Sequence, residues 1–307
     1  MSTRFKAGNL WTEIVARTQS SIANGKLHSI ETDYHTVWQN DFSFIVRVAT
    51  HLKRKAQEIK RQGRNQQQDE PFNPFLTPEP ELTVADISPT HLSVLNKFNV
   101  VEHHLLIITR EFEHQERLLS LQDFEALWFC LSEYPSLGFY NGGAAAGASQ
   151  HHKHLQLVPL PLYPGQSLYP LEKLYSTLTK KITLQSLKQL PFVHSWSPLP
   201  IGIENNPSEA ARQTLSIYHQ MLTSVGISRW VRPDGEYQST PYNLLVTREW
   251  MLMVPRSQEH CKGISVNALG YVGSLFVKDR NGFETVRDHG PMNLLKAVSM
   301  ELNSVGH

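Results

Sequence analysis

Residues 140–162 read YNGGAAAGASQHHKHLQLVPLPL, and this stretch brings small residues, three histidines and strand-forming apolar residues together. Successive side chains of a β-strand point to opposite faces, so His152, His154 and Gln156 share one face of a predicted strand. The residues between them point to the other face. Two imidazoles and an amide therefore line one edge of a predicted site.

The residues before these histidines carry almost no side-chain bulk. From Gly142 to Ala148 the chain contains only glycine and alanine, so backbone N–H groups can lie directly against a ligand such as a phosphate. Asn141, Ser149 and Gln150 add hydrogen-bond donors at the two ends of this run. Since imidazole titrates near pH 6.5, a neutral nitrogen nucleophile is available beside the predicted anion site.

Each part of this stretch also has a simpler interpretation. A single histidine is more often a satisfied structural residue than a nucleophile. Two histidines at i and i+2 are a common metal-ligand spacing, and runs of glycine and alanine often mark only a tight turn. Neither the metal site nor the turn explains why Ser149 and Gln156 are in register with both histidines. The combination therefore favours phosphate-transfer chemistry.

Composition predicts a globular protein without a strong net charge. The 307 residues are 40% hydrophobic, enough for one large domain or two joined halves. Because 29 basic residues face 28 acidic ones, we expect no nucleic-acid or membrane partner. The two cysteines, Cys130 and Cys261, cannot form a disulfide framework or a four-cysteine zinc site. With no signal-like or membrane-spanning apolar run, these features favour a cytoplasmic location.

Periodicity predicts an α+β fold on an antiparallel sheet flanked by helices. Helical spacing of apolar residues predicts helices at residues 10–27, 120–134 and 209–227. Strand patterns occur at residues 42–55, 92–100, 103–112 and 242–257, the last as strand, turn and strand. Residues 57–75 predict a mobile polar loop, and residues 263–279 fit either helix or strand.

A proline-rich join, VPLPLYPGQSLYPLEKLY, follows the histidines. It predicts two intimately joined halves. The N-terminal half, residues 1–165, carries the histidine motif, and the C-terminal half, residues 190–307, completes the sheet and the substrate site.

The order and spacing of Asn141, Ser149, His152, His154 and Gln156 resemble the signature of the nucleotidyltransferase branch of the histidine triad superfamily. Galactose-1-phosphate uridylyltransferases carry the same arrangement, but this chain lacks the cysteines of their zinc site. The sequence is more similar to diadenosine tetraphosphate phosphorylases, also called ATP adenylyltransferases. Segments such as LNKFNVVEHHLLIITREFE and YNLLVTREWMLMVPRS extend this resemblance over most of the chain. It implies a histidine-triad-like, galactose-1-phosphate-uridylyltransferase-like fold.

The resemblance also implies a reaction. His154 attacks the α-phosphorus of the dinucleotide and becomes adenylylated as ATP leaves, and inorganic phosphate then releases ADP. Gln156 replaces the histidine of dinucleotide hydrolases, and its amide would bind a non-bridging oxygen, with Ser149 sharing that role. His152 would orient the loop or the nucleophile, or serve only as a structural residue.

Further substrate contacts are expected outside the motif. The segment at residues 96–98 matches the nucleoside-contact segment of the family, although a solvated turn would look the same. A lysine at a strand end and a glycine-containing segment at residues 263–270 offer groups for polyphosphate, or simply an exposed charge and a turn. The full predicted set is Lys55, Asn96, Lys97, Phe98, Asn141, Gly147, Ala148, Ser149, Gln150, Gln156, Gly263, Ser265, Asn267 and Gly270.

The expected partners are small molecules: diadenosine tetraphosphate, phosphate, ATP and ADP. Because a tetraphosphate carries several negative charges, we expect Mg²⁺ or Mn²⁺ to accompany it. No carboxylate cluster predicts a metal site in the protein itself. Three rival functions remain: a hydrolase of the same superfamily, a hexose-1-phosphate nucleotidyltransferase, and a non-catalytic nucleotide sensor. The sequence does not predict an oligomeric state.

Overall fold

The computed structural model describes residues 6–49, 73–163, 168–176 and 184–302. Over these ranges the chain is a mixed α+β protein whose helices flank an antiparallel sheet, so the predicted fold class is confirmed. The helices are α1 (Leu10–Ala23), α2 (Leu121–Leu131), α3 (Glu172–Ser176), α4 (Pro207–Ser224), α5 (Arg280–His289) and α6 (Pro291–Val298).

Fifteen strands alternate with these helices along the described chain. In the first half they are β1 (Thr32–Gln39), β2 (Phe42–Ala49), β3 (Thr83–Asp86), β4 (His91–Leu95), β5 (Leu105–Thr109), β6 (Ser136–Gly142) and β7 (His154–Pro159). In the second half they are β8 (Ser195–Pro198), β9 (Arg229–Arg232), β10 (Gly235–Gln238), β11 (Tyr242–Val246), β12 (Trp250–Pro255), β13 (His260–Cys261), β14 (Ile264–Ser265) and β15 (Ser274–Val277).

The main sheet has eight strands in the order β3-β4-β5-β7-β6-β11-β12-β8. Strand β7, which carries His154, lies between β5 and β6 and is antiparallel to both. A smaller sheet has the order β1-β2-β15, and β15 runs parallel to β2. Strands from the two halves of the chain therefore pair in both sheets.

The two faces of the main sheet bury separate hydrophobic clusters. Helices α1, α2 and α4 cover one face, where Leu155 and Leu157 of β7 join Phe124 and Tyr218. Val158 of β7 lies in the other cluster, with residues of the small sheet and of the C-terminal helices. Since His154 and Gln156 alternate with Leu155 and Leu157, they face the small sheet.

The predicted cap of helix α2 is confirmed. Ser120 caps α2, because its hydroxyl accepts from the Asp123 N–H and the Asp123 carboxylate accepts from the Ser120 N–H. Residues 263–279, whose sequence pattern fits either helix or strand, contain β14, a 3₁₀ turn at Ala268–Val272 and β15. The predicted polar loop lies outside the described residues up to position 72. None of the described helices is long and apolar enough to cross a membrane.

Candidate active site

A cavity of about 1140 Å³ separates the β7 region of the main sheet from the small sheet. Most of the predicted site residues line it, namely Asn96, Lys97, Phe98, Asn141, Gly147, Ser149, Gln150, His154, Gln156, Gly263, Ser265 and Asn267. Ala148, His152 and Gly270 do not. Lys55 lies outside the described residues. The cavity thus joins segments that are far apart in sequence.

His154 is the first residue of β7, and both its backbone and its ring are fixed by hydrogen bonds. Its Nδ1 lies 2.9 Å from the carbonyl oxygen of His152. A carbonyl can only accept, so Nδ1 carries the proton and Nε2 keeps its lone pair. Burial lowers the pKa of His154 to about 4, which keeps the ring neutral at pH 7. Nε2 is therefore an unprotonated nucleophile at the cavity.

Gln115 is a buried residue that the sequence analysis missed, and it positions the His154 backbone. Its Oε1 accepts from the His154 N–H at 2.8 Å. Its Nε2 donates to the Asn141 carbonyl at 2.9 Å and to the His154 carbonyl at 3.2 Å. One amide side chain thus joins the start of β7 to the end of β6. Nothing in the local pattern around Gln115 distinguishes it from a solvated glutamine.

The His152 side chain lies behind the cavity rather than in its lining. Its Nε2 donates to the carbonyl oxygen of Thr109 at 2.8 Å, and its Nδ1 lies 3.1 Å from Nδ2 of Asn73. The ring of Phe75 contacts both His152 and His154, with centroid distances of 5.8 and 5.2 Å. The backbone carbonyl of His152, not its imidazole, orients the nucleophile His154.

His104 is a further imidazole that lines the cavity, and no local sequence pattern indicates it. His104 precedes β5 and is buried, and it lines the same cavity as Gln156. Burial lowers the pKa of His104 to about 4, an effect that Gln156 partly opposes. The prediction that the His152 ring lines the site with His154 and Gln156 is therefore wrong; within the described residues, the histidines that line the cavity are His28, His104 and His154.

The predicted nucleoside segment forms one end of the cavity. The rings of Phe98 and His28 stack there, with centroids 5.6 Å apart and planes within 15°. Lys97 Nζ lies 2.5 Å from Glu79 Oε1, and this hydrogen bond lowers the pKa of Glu79. A polyphosphate would have to compete with Glu79 for Lys97. Asn96 contacts His104, with 3.2 Å between Asn96 Nδ2 and His104 Nδ1.

The small-residue loop differs from its prediction. The N–H groups of Ala146 and Ala148 donate to the carbonyl of Gly143, and that of Gly147 donates to Ala144. The loop folds into a 3₁₀ turn and satisfies these donors itself, so the prediction that they are free for phosphate is wrong. Within the described ranges, no hydrogen bond uses the N–H of Ser149 or that of Gln150.

Two loop residues join the halves of the chain. Asn141 is buried, and its Oδ1 accepts from Asn243 Nδ2 at 2.8 Å and from the Ala268 N–H at 3.1 Å. Gly147 has φ +90°, and an added Cβ would lie 3.0 Å from the Val266 carbonyl oxygen. The glycine is required by backbone conformation and by this close contact, in addition to its place at the cavity.

Gly270, predicted to bind polyphosphate, lies in the core. An added Cβ would lie 3.0 Å from Val266 and 3.1 Å from Leu295. Gly270 therefore allows close packing of the C-terminal helices, and its placement among the substrate contacts is wrong. Gly263, Ser265 and Asn267 remain at the cavity wall.

The opposite face of the same strand segment carries a buried charge. Lys153 Nζ lies 2.6 Å from Asp123 Oδ2, and both side chains are 1% exposed. Asp123 Oδ1 lies 3.1 Å from His91 Nε2. Burial alone would raise the pKa of Asp123, but Lys153 and His91 outweigh it and hold the pKa well below its usual range. This ion pair anchors the start of β7 to helix α2.

Comparison with known families agrees with this geometry. Residues 1–177 match the Ap4A phosphorylase N-terminal domain, and residues 188–301 match the ATP adenylyltransferase C-terminal domain. The protein is accordingly a nucleotidyltransferase. More specifically, the chain belongs to the Ap4A phosphorylase family, where Ap4A denotes diadenosine tetraphosphate.

Two curated relatives come from Saccharomyces cerevisiae. Protein APA1 is 28% identical over 290 residues, which cover 88% of this chain and 87% of APA1. Diadenosine tetraphosphate phosphorylase 2 is 29% identical over 238 residues, covering 70% of this chain and 72% of the relative.

Solved structures of yeast Ap4A phosphorylase Apa2 share the fold. One matches with a TM-score of 0.76 and 24% identity, covering 98% of this chain and 99% of Apa2. The structure of Apa2 in complex with Ap4A matches with a TM-score of 0.75 and 23% identity, again covering 98% of this chain and 99% of that one.

Proposed function

We propose that the protein catalyses reversible phosphorolysis of diadenosine tetraphosphate, giving ATP and ADP through an adenylylated His154. The observation that carries this proposal is the His154 ring, buried and neutral, with Nδ1 held by the His152 carbonyl. Membership of the family supports the substrate, as do the name of the yeast phosphorylase relative and the Apa2 complex with Ap4A.

In the first half-reaction, His154 Nε2 attacks the α-phosphorus of the dinucleotide. A nitrogen–phosphorus bond forms, and the bond from that phosphorus to the bridging oxygen breaks, so ATP leaves with the electron pair. The hydrogen bond from Nδ1 to the His152 carbonyl stabilises the positive charge that develops on the ring. No proton has to leave His154 before it attacks.

In the second half-reaction, an oxygen of inorganic phosphate attacks the adenylyl phosphorus in line. The phosphorus–oxygen bond forms as the phosphorus–nitrogen bond breaks, which yields ADP and restores neutral His154. Gln156 donates to a non-bridging oxygen in both steps but cannot take a proton from water. Water therefore stays poorly activated while phosphate is bound and positioned.

The cavity has the size and lining for an elongated anion. Arg47, Lys97, Lys262 and Lys278 provide positive charges along it, while stacked Phe98 and His28 offer an aromatic surface for one nucleoside. The N–H groups of Ser149 and Gln150 add donors near the nucleophile. These features support a polyphosphate with a base at its end.

A divalent cation, Mg²⁺ or Mn²⁺, would enter with the substrate. Among the residues that the structure describes, no group of three or more His, Cys, Asp or Glu side chains is placed to hold a metal ion. The described cavity lining contains only two carboxylates, Glu79 and Asp279, beside its amide, hydroxyl and basic groups, which suits a cation carried on the phosphates. There it would neutralise part of the phosphate charge.

The division into two joined halves, residues 1–165 and 190–307, and the cytoplasmic location are also part of the proposal. The first is supported by the two matched families, which adjoin between residues 177 and 188. The second is supported by two free cysteines, Cys130 and Cys261.

A product assay tests the reaction. With diadenosine tetraphosphate and Mg²⁺, the protein should make ATP and ADP in proportion to added phosphate, with little AMP, as separated by chromatography. Equal release of AMP and ATP without phosphate would identify a hydrolase. No cleavage in either condition would favour the sensor or the hexose-phosphate transferase.

A variant at Gln156 sharpens this test. Gln156→His introduces a side chain that can act as general base for water, so it should slow transfer about 10- to 100-fold and raise the share of AMP. Gln220→His makes the same chemical change at an exposed position of helix α4, outside the cavity lining, and should leave the AMP share low. An unchanged AMP share in Gln156→His would contradict the role given to the amide.

A further inference from the structure

Two of the segments with the pattern Asn–x–Phe, NPF at residues 73–75 and NKF at residues 96–98, fold in the same way. The asparagine Oδ1 accepts from the N–H of the phenylalanine, at 3.0 Å for Asn73 and 3.2 Å for Asn96. Its Nδ2 lies beside a histidine Nδ1, 3.1 Å from His152 and 3.2 Å from His104. The backbone N–H fixes each amide, so Nδ2 donates and the histidine Nδ1 accepts.

The Nδ2 donor of Asn96 determines the tautomer of His104. A neutral imidazole that accepts at Nδ1 carries its proton on Nε2. His104 is neutral at pH 7, because burial lowers its pKa to about 4. Its Nε2 is buried and has no hydrogen-bond partner among the described residues, while the Gln156 amide lines the same cavity and raises the pKa of the ring. Hydrogen bonds in a site without substrate are often poorly aligned.

We propose that His104 is a positioning residue that fixes which end of the Gln156 amide faces the substrate. The His104 Nε2–H donates to Gln156 Oε1, which leaves Gln156 Nε2 to donate to a non-bridging phosphoryl oxygen. The inference rests on the proposed adenylyl transfer and adds to it a relay from Asn96 through His104 to Gln156. Because all three side chains of this relay are neutral, it directs the Gln156 donor without adding a charge to the site.

The relay matters because an amide has two nearly isosteric ends. If Gln156 turned over, its Oε1 lone pairs would face a negative phosphoryl oxygen and oppose the transition state. A histidine whose proton is fixed on Nε2 rejects that orientation, since only Oε1 can accept from it. His152 is held by the same kind of turn, but its Nε2 donates to the Thr109 carbonyl instead.

Two substitutions at His104 test the relay by kinetics. His104→Leu removes the donor at similar size and should slow single-turnover adenylylation about 10- to 100-fold, with dinucleotide Kd changed less than about 3-fold. His104→Gln keeps an N–H donor toward Gln156 and an oxygen toward Asn96, so it should recover most of the rate. Equal rates in wild type and His104→Leu would overturn the proposal, as would equal losses in the Leu and Gln variants.

Coupling to Gln156 separates positioning from general damage. If His104 acts through Gln156, then adding His104→Leu to Gln156→Ala should cost no further rate. Independent, multiplying losses would contradict the relay. Labelling of wild type from α-labelled diadenosine tetraphosphate without phosphate is measured first. If no label enters wild type, the proposed function fails. If wild type labels normally and the variants do not behave as expected, the inference about His104 fails and the proposed function stands.

The tautomer can be measured without relying on the leucine variant. In ¹⁵N-labelled wild type, long-range ¹H–¹⁵N spectra distinguish a protonated Nε2 from a protonated Nδ1, and His104→Gln assigns the signal. His104 should show a protonated Nε2 and an unprotonated Nδ1 at pH 7. A protonated Nδ1 would overturn the proposal even if the leucine variant does not fold.

Discussion

Buried polar side chains are stabilised differently on the two faces of the segment around β7. Toward the cavity, His154 is neutral and bound through hydrogen bonds that add no charge. Toward helix α2, one residue away, Lys153 forms a fully buried ion pair with Asp123. In this segment the buried charge lies on the face away from the cavity, where no anionic substrate competes with Asp123 for Lys153.

This separation has a chemical reason. An anionic substrate must enter the cavity, so a carboxylate against His154 would repel it and would also raise the pKa of the ring, which favours the protonated form that cannot attack. On the opposite face, Asp123 and Lys153 can satisfy each other, and the strand remains anchored when the substrate leaves. Removing groups from each face should therefore produce distinct defects.

The largest effect is expected on the cavity face. His154→Ala should fold but take up no label from α-labelled diadenosine tetraphosphate, because the nitrogen that forms the covalent bond is absent. Mass spectrometry of the intact protein and of its peptides would locate the adenylyl group in wild type. Label on any other residue would contradict the role of His154.

A matched control is available in the same segment. His151 is exposed and does not line the cavity. His151→Ala should label at the wild-type rate within about 2-fold, since surface substitutions rarely matter. A large loss there would mean that the segment tolerates no change at all, and it would weaken the interpretation of His154→Ala.

An intermediate effect is expected on the opposite face, and it concerns stability. Lys153→Met leaves Asp123 buried without its cation, so the free energy of unfolding should fall by about 3–5 kcal/mol. The double variant Lys153→Met/Asp123→Asn removes both charges and should be more stable than the single variant. Urea denaturation measures both values. Additive losses in the double variant would show that the ion pair is not the cause.

The smallest effect is a difference in pH dependence between the two faces. An unfolded histidine titrates near 6.5, but burial lowers the pKa of His154 to about 4. The unfolded chain therefore binds more protons between these values, and the free energy of unfolding falls as pH drops through this window. In His154→Ala this contribution is absent, so the free energy of unfolding should change less steeply with pH than in wild type, by about 1.4 kcal/mol per pH unit.

Asp123 acts in a lower window. Its pKa in the folded protein lies well below the usual value, because Lys153 and His91 outweigh the effect of burial. The stability it contributes is present above pH 4 and is lost as pH falls below about 4. Urea midpoints at a series of pH values would separate the windows. An unchanged slope between pH 4.5 and 6.5 in His154→Ala would contradict the assignment.

Sequence patterns predicted the elements and the reactive face because both depend on local periodicity. The alternation at His154 and Gln156, the capped helix α2 and the strand–turn–strand at β11 and β12 follow from neighbours in the chain. These features form as the sequence indicates, and the predicted family is shown by the matched domains.

Long-range contacts could not be predicted in the same way. Gln115 and His104 reach the site from segments about 40 and 50 positions before β7, and no local pattern marks either as a partner of His154 or Gln156. The donors of the small-residue loop were misjudged because a 3₁₀ turn uses them internally. Gly270 was misjudged because a glycine that permits close packing resembles one that permits close binding.

The pairing of β6 with β11, and of β2 with β15, has a consequence for how the molecule can be taken apart. A polypeptide cut between Ser176 and Leu184 would expose unpaired strand edges on both pieces. Each piece would lack part of the cavity wall, so nucleotide chemistry would report their reunion. The architecture is thus suited to a split-enzyme sensor, in which two fused test proteins restore adenylyl transfer only when they meet.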